Sequence, residues 1–364
     1  MKRILFISQY LNRAGTETFM MNIFRGIDHS RFMVDFLLYS RNVTNYAREV
    51  EAAGCHVWRV PSRRDSLVGW YLSLYMFYKH HARDYEAIHF CGNVISAIAP
   101  IAFAYLFRIP IRISHSHSSS ASGWHNKVLH LIHRGLARRI TTHHFACSTL
   151  AAKWFFGNSP AVIVNNGIDA LLFAYNVQVR KMVRESLELS PSTILFGNVG
   201  RFQSEKNHTF LLDIFSAYID KNSNAKLMLI GTGALMDEIK EKAAQLGISN
   251  KTLFLGERSD VPQLLQAMDL FLMPSTFEGQ PFVLIEAQCA GLPCLISDVI
   301  NQDICLTDNV ERCSLRQQAV EWAAKAESML TGFCRKDESK VIEQKGYAIK
   351  QTIAYLERVY DGKE

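Results

Sequence analysis

A chain of 364 residues is too long for one ordinary hydrophobic core and fits two domains, and with 48% of its residues apolar a large folded interior is expected. Its eight cysteines form no C-x-x-C pair and no His/Cys cluster along the sequence, which argues against a zinc site and a secretory disulfide framework and for a reducing compartment. The formal net charge of +6 is unevenly placed: residues 1–180 hold 20 Lys and Arg against 9 Asp and Glu, residues 181–364 hold 20 against 25, and twelve of the thirteen histidines fall in the first half.

The first apolar run, Arg3–Ser8, lacks the long core and cleavage site of a signal peptide and reads as a buried strand. Gly15-Thr16-Glu17 lies between it and the next strand-like run, Met33–Tyr39. Others follow at His56–Val60, Ala87–Phe90, Ile111–Ser114, His144–Ala146 and Ala161–Val164, separated by helix-like segments. Val94–Phe107 is the longest apolar run. It contains Pro100 and falls short of the roughly 18 residues a membrane span needs, so no transmembrane helix is predicted. His115 and His117 follow the Ile111–Ser114 strand with a spacing that points both to one side if the strand continues; either could face a cleft, and His117 is favoured.

Within Trp124 to Arg139, the cations Lys127, Arg134, Arg138 and Arg139 are mixed with Trp124, Leu129, Leu131, Ile132 and Leu136, the composition of a basic amphipathic helix. The basic first half is either a solvated face or one drawn to an anionic surface. An anionic lipid leaflet fits the second alternative. Nucleic acid does not, because no nucleic-acid module is present and the cations have no regular aromatic platform.

After a charged helical segment at Asn176 to Leu189 the pattern restarts, with strands expected at 193–200, Ala225–Ile230, Thr252–Leu255, Leu270–Met273 and Pro293–Ile296. Alternation of this kind predicts an α/β chain of two doubly wound, Rossmann-like domains, residues 1–175 and 176–346, with a ligand in the cleft between their carboxyl-end loops. A helix at Tyr347 to Tyr360 is expected to return residues 347–364 to the first domain.

The chemistry-bearing residues concentrate in the second half. Gly200 permits a tight turn after a strand, and Arg201 and Lys206 can both reach an anion there; a diphosphate suits a guanidinium fork beside an ammonium. Gly231 opens a second phosphate-compatible turn. Glu278 and Glu286 stand eight positions apart across Gly279, a turn and the start of a helix near Pro281 or Phe282. Glu286 can accept a pair of hydrogen bonds from a ribose diol, Glu278 from a sugar hydroxyl, and the N–H groups of Phe282 and Val283 can face a phosphate. Taken singly, Glu278 could instead cap the helix and Glu286 could be a surface carboxylate.

Together these elements resemble the retaining glycosyltransferases of the GT-B fold, in the large family 4 group. The resemblance spans both domains: Gly15-Thr16-Glu17, His115-Ser116-His117, Asn166-Gly167-Ile168-Asp169, Gly200-Arg201 with Lys206, and Glu278 with Glu286 in the family's E-x7-E spacing. The family's first loop usually carries two glycines where this chain has Ala14-Gly15. The resemblance implies that Arg201 and Lys206 bind the donor diphosphate, Glu286 the ribose and Glu278 the transferred sugar, with the base held by backbone around Gly256-Glu257-Arg258. It implies a retaining transfer in which Arg201, Lys206, Glu278 and His117 carry the chemistry, with Gly15 on the donor side and His115, His117 and Glu17 on the acceptor side. The expected donor is a nucleotide diphosphate sugar, most commonly of uridine, and the expected acceptor a saccharide or lipid-linked saccharide of cell-surface polysaccharide. No Asp-x-Asp occurs, so no metal and no other cofactor is expected. The expected location is the cytoplasm or the inner face of the membrane. The rival readings are a nucleotide-sugar epimerase or glycan phosphorylase of the same architecture, and a non-catalytic subunit. The combined Arg201, Lys206, Glu278 and Glu286 pattern speaks against the epimerase, and the chain length and want of an assignable pyridoxal lysine against the phosphorylase.

Overall fold

The computed structural model describes residues 1–11, 15–40, 44–119 and 123–364; Ala14 of the glycine loop lies outside the described residues. Two compact units form, one of Met1–Gly167 with Ile349–Glu364, the other of Ile168–Ala348.

The first unit is built on a parallel sheet of seven strands: β1 (Lys2–Ser8), β2 (Phe32–Leu38), β3 (Val57–Arg59), β4 (Ala87–Gly92), β5 (Ile111–Ser116), β6 (His143–Ala146) and β7 (Val162–Ile163), in the order β3-β2-β1-β4-β5-β6-β7. Ile4, Leu5, Phe6 and Ile7 are all fully buried, as continuous apolar runs are when helices cover both faces of a sheet. Those helices are α1 (Gly15–Gly26), α2 (Asn45–Ala52), α3 (Leu67–His81), α4 (Ala99–Leu106), α5 (Trp124–Ile140) and α6 (Thr149–Phe156). Pro100 sits in the first turn of α4, where its missing N–H costs nothing. Among the described residues no helix is long and apolar enough to cross a membrane.

The second unit carries α7 (Ala170–Phe173), α8 (Val177–Ser186), β8 (Ile194–Val199), α9 (His208–Ile219), β9 (Ala225–Ile230), α10 (Met236–Gln245), β10 (Thr252–Gly256), α11 (Val261–Ala267), β11 (Leu270–Met273), α12 (Phe282–Cys289), β12 (Cys294–Ser297), β13 (Val310–Cys313), α13 (Ala319–Leu330) and α14 (Ser339–Gln344). Its sheet is parallel, in the order β10-β9-β8-β11-β12-β13. Every strand expected from the sequence forms. The addition is β13, an edge strand whose adjacent charged residues Glu311 and Arg312 break the apolar run that would have announced it.

In each sheet the order reverses at one point, between β1 and β4 and between β8 and β11, so the connections leaving those neighbours diverge and open a crevice at their carboxyl ends. In the second unit the segments that leave this point are Gly200–Lys206 and Pro274–Pro281.

The division falls at Gly167/Ile168 and Ala348/Ile349, not at 175/176 and 346/347 as expected from the sequence. The reason is α7, which packs on α11, α12 and α14 and so belongs to the second unit. The final helix, α15 (Ile349–Tyr360), buries Thr352, Ile353, Leu356, Val359 and Tyr360 at helical spacing and packs on α1. Lys2 pairs with Asp361, and Arg31 with Glu357 and Asp361. A methyl group on Gly167 would stand 2.8 Å from Ile349 Cα, so glycine is what lets the start of α15 lie against this backbone.

Candidate functional site

In the second unit the loops at the strand ends are tied to one another by backbone. Gly200 N–H donates to Ile230 O (2.9 Å), Gly231 N–H to Gly256 O (2.8 Å) and Phe202 N–H to Thr232 O (3.0 Å). Gly231 has φ of +137°, and a side chain there would collide with the Gly200 carbonyl, so glycine is required twice over. Phe202 is fully buried and stacks on His208 at 4.3 Å; burial pushes that imidazole down to about 4, and the neutral ring acts as a packing element beneath the loop. Above it Arg201 is exposed, and its guanidinium has no hydrogen-bond partner among the described residues.

The loop after β11 is held to the loop after β8. Thr276 N–H donates to Glu205 O (2.8 Å), and Asn207, whose φ of +53° turns the chain into α9, donates its side-chain amide to Pro274 O (3.1 Å). These ties bring Lys206 to Glu278, with Nζ 2.7 Å from Oε1 and both side chains largely shielded. The sequence assigned these two residues to different parts of a ligand; in the free protein each is the other's counter-ion.

Gly279 lies in the turn between Glu278 and α12. Among the described residues no side chain caps α12, whose N-cap position is Pro281, so Glu278 is not a cap and the N–H groups at the helix start stay available to an anion. Glu286 lies one turn further in. Its carboxylate accepts no hydrogen bond among the described residues, and burial pushes its pKa up to about 7. A carboxylate that gives up solvent without gaining a donor is suited to a ligand that supplies donors, such as a vicinal diol. Arg258 makes a two-point pair with Asp260 at 2.7 and 2.6 Å, which engages its guanidinium locally and leaves the backbone of residues 256–258 as the part assigned to the base.

The first unit assembles a row of histidines. His89 on β4 and His115 on β5 are fully buried, with His89 Nε2 3.1 Å from His115 Nδ1 and His89 Nδ1 2.7 Å from the Tyr360 hydroxyl. His115 packs in turn against His117, at 4.1 Å between ring centres with the rings tilted by 35°, and Phe19 of α1 packs against both. The two rings share one side, as their spacing predicts. His115 is enclosed by this packing, whereas His117 closes the row just beyond the strand end and keeps a sliver of exposure. Burial holds all three imidazoles below their ordinary range, His117 at about 3, which favours the neutral ring. Gly15 opens α1 and Glu17 lies in its first turn, near Cys91 at the end of β4.

Folding also creates a cluster that linear spacing hides. Ligand-type atoms of His89, Cys91 and His115 lie within 4.8 Å of one another. Both nitrogens of His89 are already hydrogen-bonded, and burial pushes the Cys91 thiol up, which favours its protonated form. Nε2 of His115 has no hydrogen-bond partner among the described residues, so the cluster is a buried row of neutral groups in which His89 alone has both ring nitrogens bonded.

Comparison with known proteins is consistent along the chain. The family model of Glycosyl transferases group 1 matches residues 179–344. A Bacillus subtilis protein described as putative glycosyltransferase EpsF is 32% identical over 371 residues, covering 99% of this chain and 96% of its own. The Escherichia coli UDP-Gal:alpha-D-GlcNAc-diphosphoundecaprenol alpha-1,3-galactosyltransferase is 27% identical over 259 residues, 68% of this chain and 66% of its own. Among solved structures, Anabaena Alr3699/HepE in complex with UDP and glucose superposes over 100% of both chains with a TM-score of 0.81 at 17% identity, a likeness of fold.

Proposed function

The chain belongs to the group 1 glycosyl transferases, with the two Rossmann-like domains of the GT-B fold, and on that footing we propose that it transfers a sugar with retention of configuration from a uridine diphosphate donor to a saccharide or lipid-linked saccharide. The observation that carries the reading is the arrangement at the β8/β11 reversal: the Lys206–Glu278 pair, an uncapped helix start, and the unpartnered Glu286 one turn behind it. The diphosphate exchanges its charge for that of Glu278 on Lys206 and adds bonds from Arg201 and the α12 N–H groups. The ribose diol donates to Glu286, and Glu278, released from Lys206, accepts from a hydroxyl of the transferred sugar. Gly200, Gly231 and Gly279 let backbone approach the donor closely, and Phe282 and Val283 supply the helix-start N–H groups.

In the transfer step the bond between the anomeric carbon and the diphosphate oxygen breaks, and a bond from the acceptor oxygen to the same face of that carbon forms. The acceptor proton passes to the departing diphosphate, so no protein base is required and neutral His117 has only to orient the acceptor. The protein's main contribution is to stabilise charge on the leaving group, a role in which Arg201, Lys206 and the helix start replace a metal ion. The proposed setting is assembly of cell-surface polysaccharide at the inner face of the membrane. The names of the relatives support it: the Escherichia coli protein's names a lipid diphosphate acceptor.

A panel of nucleotide sugars, read by thermal stabilisation and nucleotide release with a saccharide acceptor, tests the proposal. One uridine diphosphate sugar is expected to stabilise the protein and to be consumed without added divalent ion. Lys206→Ala is expected to lower turnover by about 100-fold or more. Undiminished transfer by Lys206→Ala together with Glu278→Ala would rule out the mechanism.

A further inference from the structure

One face of the first unit carries a surface that the chemistry above does not use. Over the sheet α3 packs on α4 and α4 on α5. In α3 the inner stripe is Trp70, Leu74, Phe77 and Tyr78, all buried. The outer stripe, at the same helical spacing, is apolar too: Leu67, Val68, Tyr71, Leu72, Tyr75 and Met76 are exposed. In α5 His130, Ala137 and Ile140 turn inward, while Trp124, Val128, Leu131, Ile132 and Leu136 face water, Trp124 and Ile132 each 66% exposed. Tyr105 and Leu106 add to the same face at the end of α4. A helix that covers a sheet needs one apolar stripe, and α3 and α5 each have two, which marks an interface.

The charges on this face select the partner. From residue 87 to residue 168 the chain has no Asp or Glu and seven Lys and Arg. Lys127, Arg138 and Arg139 stand exposed along α5, Arg108 just after α4, and Lys79 with His80 at the end of α3. We propose that the α3–α5 face seats on an anionic lipid bilayer, its apolar stripes entering the headgroup boundary and its cations meeting lipid phosphates. A second copy of this chain is a poorer occupant, since face-to-face docking would oppose two basic, nearly acid-free surfaces. Nucleic acid would use the cations and leave the aliphatic stripes in water. The proposal deepens the functional reading above and rests on it only for the choice of the inner leaflet.

The test is co-sedimentation of the full chain with vesicles of phosphatidylcholine alone or mixed with phosphatidylglycerol, alongside UDP binding on the same samples. Binding is expected to need phosphatidylglycerol and to weaken with added salt. Leu72→Ser with Ile132→Ser should reduce it tenfold or more, and Lys127→Glu with Arg139→Glu should do so as well, since each surface charge removed costs roughly fivefold. UDP affinity should be unchanged in both variants. Wild-type protein that ignores phosphatidylglycerol vesicles, or binding that survives both double variants, overturns the proposal. So does a vesicle-free dimer that Leu72→Ser with Ile132→Ser makes monomeric, because the face would then join two copies. Normal vesicle behaviour without UDP binding would remove the transferase reading and leave the membrane face standing.

Discussion

Glu286 is the residue whose environment makes the sharpest demand on a ligand. With its pKa raised to about 7 in the free site, its ionised form is the one that accepts from both hydroxyls of a diol, the acid keeping one O–H as a donor, so donor binding favours release of a proton and tightens as pH rises to 7. Affinity for UDP measured by calorimetry is therefore expected to fall about fivefold from pH 7 to pH 6, with the extra loss abolished in Glu286→Gln. An equal slope in that variant would assign the titration to the phosphates. The E-x7-E spacing was readable in the sequence, as was the strand-to-helix setting of Arg201 and Lys206. The contact of Lys206 with Glu278 was not, because it depends on the backbone ties Thr276–Glu205 and Asn207–Pro274, and these follow from which strands become neighbours. The pairing of Arg258 with Asp260 was not legible for a similar reason: the two are only two residues apart, but it is the turn after β10 that aims their side chains at each other.

At the level of elements, β4 and β5 bring three imidazoles into the core, and α9 brings a fourth, His208, into the second unit. Each has a folded-state pKa below that of the unfolded chain, so below about pH 6.5 the unfolded state binds more protons and stability is lost as pH falls. Each buried histidine steepens that loss by at most about 1.4 kcal/mol per pH unit. Glu286 acts in the opposite sense, since its raised pKa costs stability as pH climbs toward 7, and the lowered histidines, which include His130 and His144 as well, outnumber it. The expected outcome is a melting temperature distinctly lower at pH 5 than at pH 7, and a flat profile would mean that the rings are charged or hydrated in the fold. Strand existence was legible because buried parallel strands are unbroken apolar runs. The exception, β13, is short, at an edge and half-polar, so nothing local distinguishes Val310–Cys313 from a loop.

For the whole molecule, the alternating pattern was enough to read two sheets, whereas the limits of the two units needed contacts that link distant positions, such as those of α7. The largest of these contacts is α15. Removing residues 349–364 is expected to unfold or loosen the first unit alone, and Leu356→Ala to cost it about 2–5 kcal/mol. Hydrogen exchange checks this directly: protection should drop in residues 1–167 and persist in 168–348. An equal drop in both would mean that the two units fold as one. The order of synthesis adds a consequence. A ribosome emits residues 1–167 first, then the entire second unit, and only afterwards the helix that lies on α1. At translation speeds this leaves the apolar seat of α15 bare for roughly 10 to 40 seconds. The first unit is therefore begun before the second and finished after it, and it is the unit a chaperone would have more reason to hold.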